Sequence, residues 1–252
     1  MRRLATGAAA FVVLGSFWQF ATSRGWIAPV YFPAPTEVWN ALLQVAVRGY
    51  ADGRLHEHFL HSCLLVAYGF VAAVVVGVPL GIGMGWSRRA EALINPAFLL
   101  IRPIPPLAWI PLAIVWLGLG DGAKVLVIWF AAFVPSVINS YAGVRSIEPH
   151  LIEAARSLGI RGAMLAREVL LPGALPLIFT GLRLSLQACW TTLVAGELIG
   201  AITGLGHLLY QAGLDIFPAM ILVGMVAVAL AGALMTLLLG WAEAQSMPWR
   251  RT

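Results

Sequence analysis

Six stretches of 18 to 28 residues, each nearly free of charge, recur along the chain at 4–22, 59–86, 95–119, 125–142, 173–196 and 218–241. At a helical rise of about 1.5 Å per residue, each is long enough to cross a hydrocarbon core of about 30 Å. The pattern predicts an all-α integral membrane protein with six transmembrane helices and both termini on one side. Charge collects in the short segments between these windows. The longest segment on the side opposite the termini, 23–57, carries Phe32-Pro33-Ala34-Pro35-Thr36-Glu37-Val38-Trp39. That run reads as a proline-punctuated turn entering an interfacial helix, with Trp39 at headgroup level. It is too short for a binding domain, so residues 1–252 are expected to form one membrane domain.

Composition agrees with this reading. Hydrophobic residues make up 60% of the chain and charged residues 11%, against roughly 25% charged in a soluble domain. The basic residues choose the side. With the amino terminus inside, Arg2, Arg3, Arg88, Arg89, Arg145, Arg156, Arg161, Arg167, Arg250 and Arg251 are cytoplasmic, and only Arg24, Arg48, Arg54 and Lys124 lie outside. The net charge of +5 is thus a topology signal. A nucleic-acid surface would need the arginines gathered on one face, and they are divided among separate loops and termini. The opening Met-Arg-Arg and its apolar run continue through Phe17, Trp18 and Phe20 with no clear small-x-small site, which predicts an uncleaved first span. Cys63 and Cys189 fall in different spans and read as small apolar side chains.

Polar residues inside the windows mark candidate functional positions. The third window holds Arg102-Pro103-Ile104-Pro105-Pro106-Leu107-Ala108-Trp109-Ile110-Pro111, which no straight helix survives. Backbone freed at membrane depth is tolerated only against protein or a watery cavity, so the break should face the bundle interior. Arg102 has two readings, a cation lining a path for an anion or a side chain reaching the interface or the broken helix's carbonyls. The fifth window sets Arg183, Gln187, Trp190 and Thr191 on one helical face, with Val194 next to it and Thr192 nearby. That face lines a pore or bonds a neighbouring helix. Glu197, at the end of this span, caps the following turn or touches cargo. His56, His58 and His61 suggest a metal by spacing, but a solvated interfacial cluster is the simpler reading, since nothing is placed to complete a site. Small residues four apart (Gly69, Ala73, Gly77, Gly81, Gly85) or eight apart (Gly224, Gly232, Gly240) form ridges for close helix packing, within the chain or against a second copy.

The segment at about 145–172 is the most specific. Pro149 suits a first helical turn and Gly159 a left-handed residue past the end, predicting a helix of about ten residues. Ala154 and Ala155 offer a nearly bare face, with Glu153 and Arg156 at its rim. Pro172 is expected to end a second short helix. Glu153-Ala154-Ala155, then Gly159, then Val169-Leu170-Leu171-Pro172 resembles the signature of permease subunits of ATP-binding-cassette importers, with Val169 where the pattern has Ile. The resemblance implies a type I importer permease fold in which this segment is the coupling helix, docking on a cytoplasmic ATPase through Glu153, Ala154, Ala155 and Gly159.

A longer likeness covers about Arg102 to Asp215. Arg102-Pro-Ile-Pro-Pro-Leu-Ala-Trp109, Leu171-Pro-Gly-Ala-Leu-Pro176, Gly181-Leu-Arg183 and Thr203-Gly-Leu-Gly206 are similar to permeases of the nitrate, sulfonate, taurine and bicarbonate class, most of all its taurine and alkanesulfonate branch. It implies a homodimer of this chain in a bacterial plasma membrane, two ATPase subunits and a separate periplasmic or extracellular substrate-binding protein. Alternating access would then be driven from outside this chain. ATP and Mg would be bound by the partner ATPase, and this chain, without a Gly-x-x-x-x-Gly-Lys-Ser/Thr loop, is expected to hold no cofactor. An intramembrane enzyme finds no His-Glu-x-x-His, Gly-x-Ser-x-Gly or paired carboxylates in the spans. A secondary transporter or channel would want a buried carboxylate or histidine relay. Among cargoes, sulfonate, taurine, nitrate, bicarbonate and neutral vitamin precursors stay open.

Overall fold

A computed structural model describes residues 13, 15–26, 28, 31–198 and 201–250. Most of the 4–22 window lies outside them, together with Arg2, Arg3 and Arg251. The described residues are helical between short turns, with one isolated bridge, Tyr50 to Gly53, and no strand among them. The helices are α1 (15–23), α2 (Pro35–Leu43), α3 (Leu55–Trp86), α4 (Arg88–Ile101), α5 (Ile110–Leu117), α6 (Asp121–Arg145), α7 (Pro149–Ser157), α8 (Gly162–Leu165), α9 (Leu171–Glu197), α10 (Leu205–Leu214) and α11 (Pro218–Ser246).

Four helical stretches are long and apolar enough to cross a membrane: Leu55–Trp86, Asp121–Arg145, Gly162–Glu197 and Pro218–Ser246. A fifth arises if α4 and the Pro106–Leu117 stretch, bent by 83°, form one broken span. The contacts along α6 favour that reading. Glu91 bonds Tyr141 and Arg145, Phe98 meets Phe133 at 6.2 Å between rings, Trp109 stacks on Phe130 at 4.0 Å, and Ala113 clusters with Ala123 and Val127. The α6 partners therefore step from 145 back to 123, about 33 Å of helix. A loop returning to its own side would not follow α6 that far. The break itself lies where expected: Pro103, Pro105 and Pro106 remove three N–H donors and disfavour helix in the residues before them.

At Pro172 the chain departs from expectation. No helix ends there; α8 runs through a π turn, Ala166–Leu170, into α9. The wider turn lets the Leu171 N–H reach the Ala166 carbonyl, and the missing Pro172 N–H then falls at the start of a fresh α-helical register, where a helix needs none.

The backbone packs in two compact units, Met1–Ser62 with Glu197–Leu230, and Cys63–Gly196 with Ala231–Thr252. In the first, Ala41 and Val45 pack against Leu208, Ala212, Met220 and Val223. In the second, Val144, Leu170, Ala174, Ile178 and Met247 form a core where the ends of α6, α9 and α11 meet. The small residues of α3 serve this second unit. A Cβ on Gly77 would stand 3.0 Å from Ser136 Cβ, and one on Gly85 2.7 Å from Val144 Cβ, so the ridge is where α3 and α6 approach most closely.

Candidate functional site

The helix of the 145–172 segment is closed as its punctuation predicts. Pro149 opens α7, and Gly159 takes φ +83° just beyond it. The Gly159 N–H donates to Arg156 O at 3.0 Å and the Ile160 N–H to Ala155 O at 3.0 Å, the paired bonds of a Schellman motif. Glu153, Ala154 and Gly159 are exposed, whereas Ala155 is turned inward. Beside Ala154 stand Leu151, 50% exposed, and Leu158, 80% exposed. Positions 151, 154 and 158 share one face at helical spacing, so α7 presents an apolar stripe without a partner inside its unit. Arg156 and Arg145 border a cleft under α7 with Trp86, Ile152 and Leu170, which puts these segments at one end of the unit.

On α9, Arg183, Gln187 and Thr191 form an exposed polar stripe. The Arg183 guanidinium donates to the Glu243 carboxylate of α11, and the Thr191 hydroxyl donates to the Ala188 carbonyl at 3.0 Å. Gln187 is left outward among them. Trp190 lies beside the stripe, 7% exposed, against Gly232 of α11, where a Cβ would stand 3.6 Å from its ring. One residue before Thr191, it is rotated about 100° round the helix. Arg102 follows the last residue of α4 and is exposed with Pro103, Ile104 and Pro105. Among the described residues the break faces no bundle interior.

The 203–206 loop is held by the Glu197 cap that the sequence offered and by two side chains of α3 that no local pattern announces. Three successive backbone N–H groups at the start of α10 find these side chains. Gly204 donates to His58 Nδ1 at 3.0 Å, Leu205 to Ser62 Oγ at 2.8 Å, and Gly206 to Glu197 Oε2 at 2.7 Å. The Ser62 hydroxyl donates in turn to Glu197 Oε1 at 2.8 Å. Because His58 Nδ1 accepts, its Nε2–H donates to the Tyr50 carbonyl, 3.0 Å away. His58, Ser62 and Glu197 are fully buried. Glu197 thus caps the turn, its charge at the positive end of a helix. His56 is exposed, and no group of three His, Cys, Asp or Glu able to hold a metal occurs among the described residues. Nearby, the Tyr50 hydroxyl donates to Asp215 at 2.5 Å; burial and then this bond raise its pKa well above the usual tyrosine value.

A second network that the sequence reading missed joins α4 to α6. The Tyr141 hydroxyl donates to Glu91 Oε1 at 2.5 Å, and Arg145 donates to Glu91 Oε2. The signal available was Tyr141 and Arg145 at i, i+4 on one face, but nothing local names Glu91 as their partner.

The family described as the inner membrane component of binding-protein-dependent transport systems matches residues 77–251. The chain belongs to that family. It is 39% identical over 239 residues to the taurine transport system permease protein TauC of Escherichia coli K12, spanning 94% of this chain and 86% of that one. It is also 30% identical over 234 residues to the bicarbonate transport system permease protein CmpB of Synechococcus elongatus, spanning 90% and 83%. Among solved structures, a chain of the MetNI methionine ABC transporter in an inward-facing conformation superimposes with a TM-score of 0.51 at 24% identity, covering 72% of this chain and 93% of that one. At that identity the likeness concerns the fold, which is that of an importer permease. This permease is a multi-pass membrane subunit, and its relatives are permeases rather than enzymes.

Proposed function

We propose that the chain is the membrane-spanning subunit of an ATP-driven uptake system for a small solute, an organic sulfonate such as taurine or a related anion. The observation that carries the ATP-driven part is α7, a rigidly closed helix with an unpartnered stripe of Leu151, Ala154 and Leu158. A stripe of that spacing fits a groove of another protein. Glu153, Ala154, Ala155 and Gly159 would form the coupling contact with an ATPase, which binds ATP and Mg, so this chain needs no cofactor of its own. The cargo class follows from the likeness to TauC. Six spans, the first from the 4–22 window, would leave both termini and α7 in the cytoplasm and form one membrane domain over 1–252.

The exposed stripe of Arg183, Gln187 and Thr191 supports pairing with a second copy. Polar side chains on a membrane helix are costly against lipid, so a facing subunit or a water-filled passage must cover them. In the homodimer this stripe, with Trp190 at its edge and Arg102 at the α4 break, would line the path. ATP binding would draw the two ATPases and their coupling helices together and open the dimer toward a docked substrate-binding protein; hydrolysis would reset it.

The test is reconstitution with the ATPase and binding protein in liposomes. ATP-dependent accumulation of taurine is expected; uptake that runs without ATP, or on an ion gradient alone, would overturn the proposal.

A further inference from the structure

We propose that Glu91 is a positioning residue, the tie through which movement of α7 reaches the broken α4–α5 span; the proposal rests on the ATP-driven reading above. Three residues separate Arg145, the last of α6, from α7. That connector is fixed to α6 by the Ser146 N–H on Ala142 O and the Ser146 hydroxyl on Gly143 O, both at 2.9 Å. A displacement of α7 therefore acts on the end of α6, where Tyr141 and Arg145 project together. Both oxygens of Glu91 are committed to them, one to each.

Glu91 stands in the first turn of α4, whose start is fixed by Ser87 accepting from the Ala90 N–H at 3.3 Å. From there α4 runs as one helix to Arg102, where the chain bends by 83°. The other contacts along α6 are apolar: Phe98 edge-on to Phe133, Trp109 stacked on Phe130, and Ala113 beside Ala123 and Val127. Apolar burial is non-directional, whereas a carboxylate shared between a hydroxyl and a guanidinium has direction. Movement entering at Tyr141 and Arg145 is carried by Glu91 along α4 and is released at the proline break, beside Arg102. The ion pair is partly exposed, 44% for Arg145 and 23% for Glu91, so its removal leaves no buried charge and the fold should survive.

The measurement is ATP hydrolysed per solute taken up, in the whole complex reconstituted in liposomes. It is made on the native chain, Glu91→Ala, Tyr141→Phe, and the exchanged pair Glu91→Arg with Arg145→Glu. We expect Glu91→Ala to raise the ratio about threefold or more, Tyr141→Phe to raise it less, and the exchanged pair to bring it back toward native. A native ratio in Glu91→Ala, or a raised ratio that the exchange leaves uncorrected, overturns the tie. Should Glu91→Ala yield too little complex, a native ratio in Tyr141→Phe overturns it instead. A cysteine replacing Leu151, cross-linked to the ATPase in every variant, reports that docking is intact. Absence of ATP-driven uptake by the native complex would refute the proposed function itself, whereas a coupled native complex with an equally coupled Glu91→Ala refutes only the tie.

Discussion

Gly159 holds φ +83°, with open space where a Cβ would stand, so the cost of a side chain there is one of backbone conformation. An L-residue in the left-handed region costs roughly 1–2 kcal/mol, and β-branching raises it. Gly159→Val should therefore insert in the membrane normally while losing ATPase association or uncoupling hydrolysis, read by co-purification and ATPase assay. Transport at the native rate would remove the coupling assignment. Gly204 is the opposite case, since a Cβ would overlap the Glu197 carboxylate. Ser62→Ala strips the acceptor from the buried Leu205 N–H and should cost about 1–3 kcal/mol, seen as a lower Tm of the purified protein. Gly159 was legible because a helix stop is local chemistry, a proline at one end and a glycine at the other. The Gly204 loop was legible only in part: Glu197, nine residues before Gly206, was a candidate cap, but His58 and Ser62 become caps only once the start of α3 is folded against it.

Between α3 and α6 the packing depends on what is missing from Gly69, Gly77, Gly81 and Gly85. A Cβ on Gly81 would stand 2.7 Å from Ser140 Cβ, with the Val137 carbonyl closer still. Lipid tails are as apolar as leucine, so larger side chains gain nothing here by hiding from water. Gly81→Leu should instead push the helices apart, costing about 1–3 kcal/mol or more and lowering the thermal stability and yield of folded protein. Gly83, which has open space around it, should accept alanine with little change. The four-residue spacing made this ridge legible, and proline chemistry located the break at 103–106. The course past Pro172 was misread because the sequence rule treats proline as a stop. A single π turn realigns the hydrogen-bond ladder and lets proline open a new register. The inward face predicted for the Arg102 break is not seen among the described residues, where 102–105 are exposed.

At the scale of the whole protein, the second unit gathers Arg145, Arg156 and the end of α3, Gly85 and Trp86, around the cleft under α7, with Met247 in the core beside it. The charge census predicts that this end faces the cytoplasm. Single cysteines at 88 and 156, in a chain lacking Cys63 and Cys189, should resist a membrane-impermeant reagent in intact cells, and cysteines at 52 and 215 should react. Labelling of 156 from outside would overturn the orientation and the ATPase contact together. The pathway is tested by transport per folded complex. Among the described residues, Gln187 and Thr191 make no hydrogen bond across helices that would explain their polarity: the Thr191 hydroxyl is satisfied within its own helix, and Gln187 faces outward. If their stripe lines the passage, Gln187→Leu and Thr191→Val should change transport rate or cargo preference at equal amounts of complex. Arg102→Gln should slow an anionic cargo more than a neutral one, because a positive charge in a low-dielectric passage attracts only the former. That attraction has to stay weak, since a passage that binds its anion tightly cannot release it. Residues serving only to pack would give the reverse pattern, less folded complex and unchanged transport by each complex that forms. Reconstituted variants normalised for folded protein separate the two, and native transport per complex in all three would take these residues off the path.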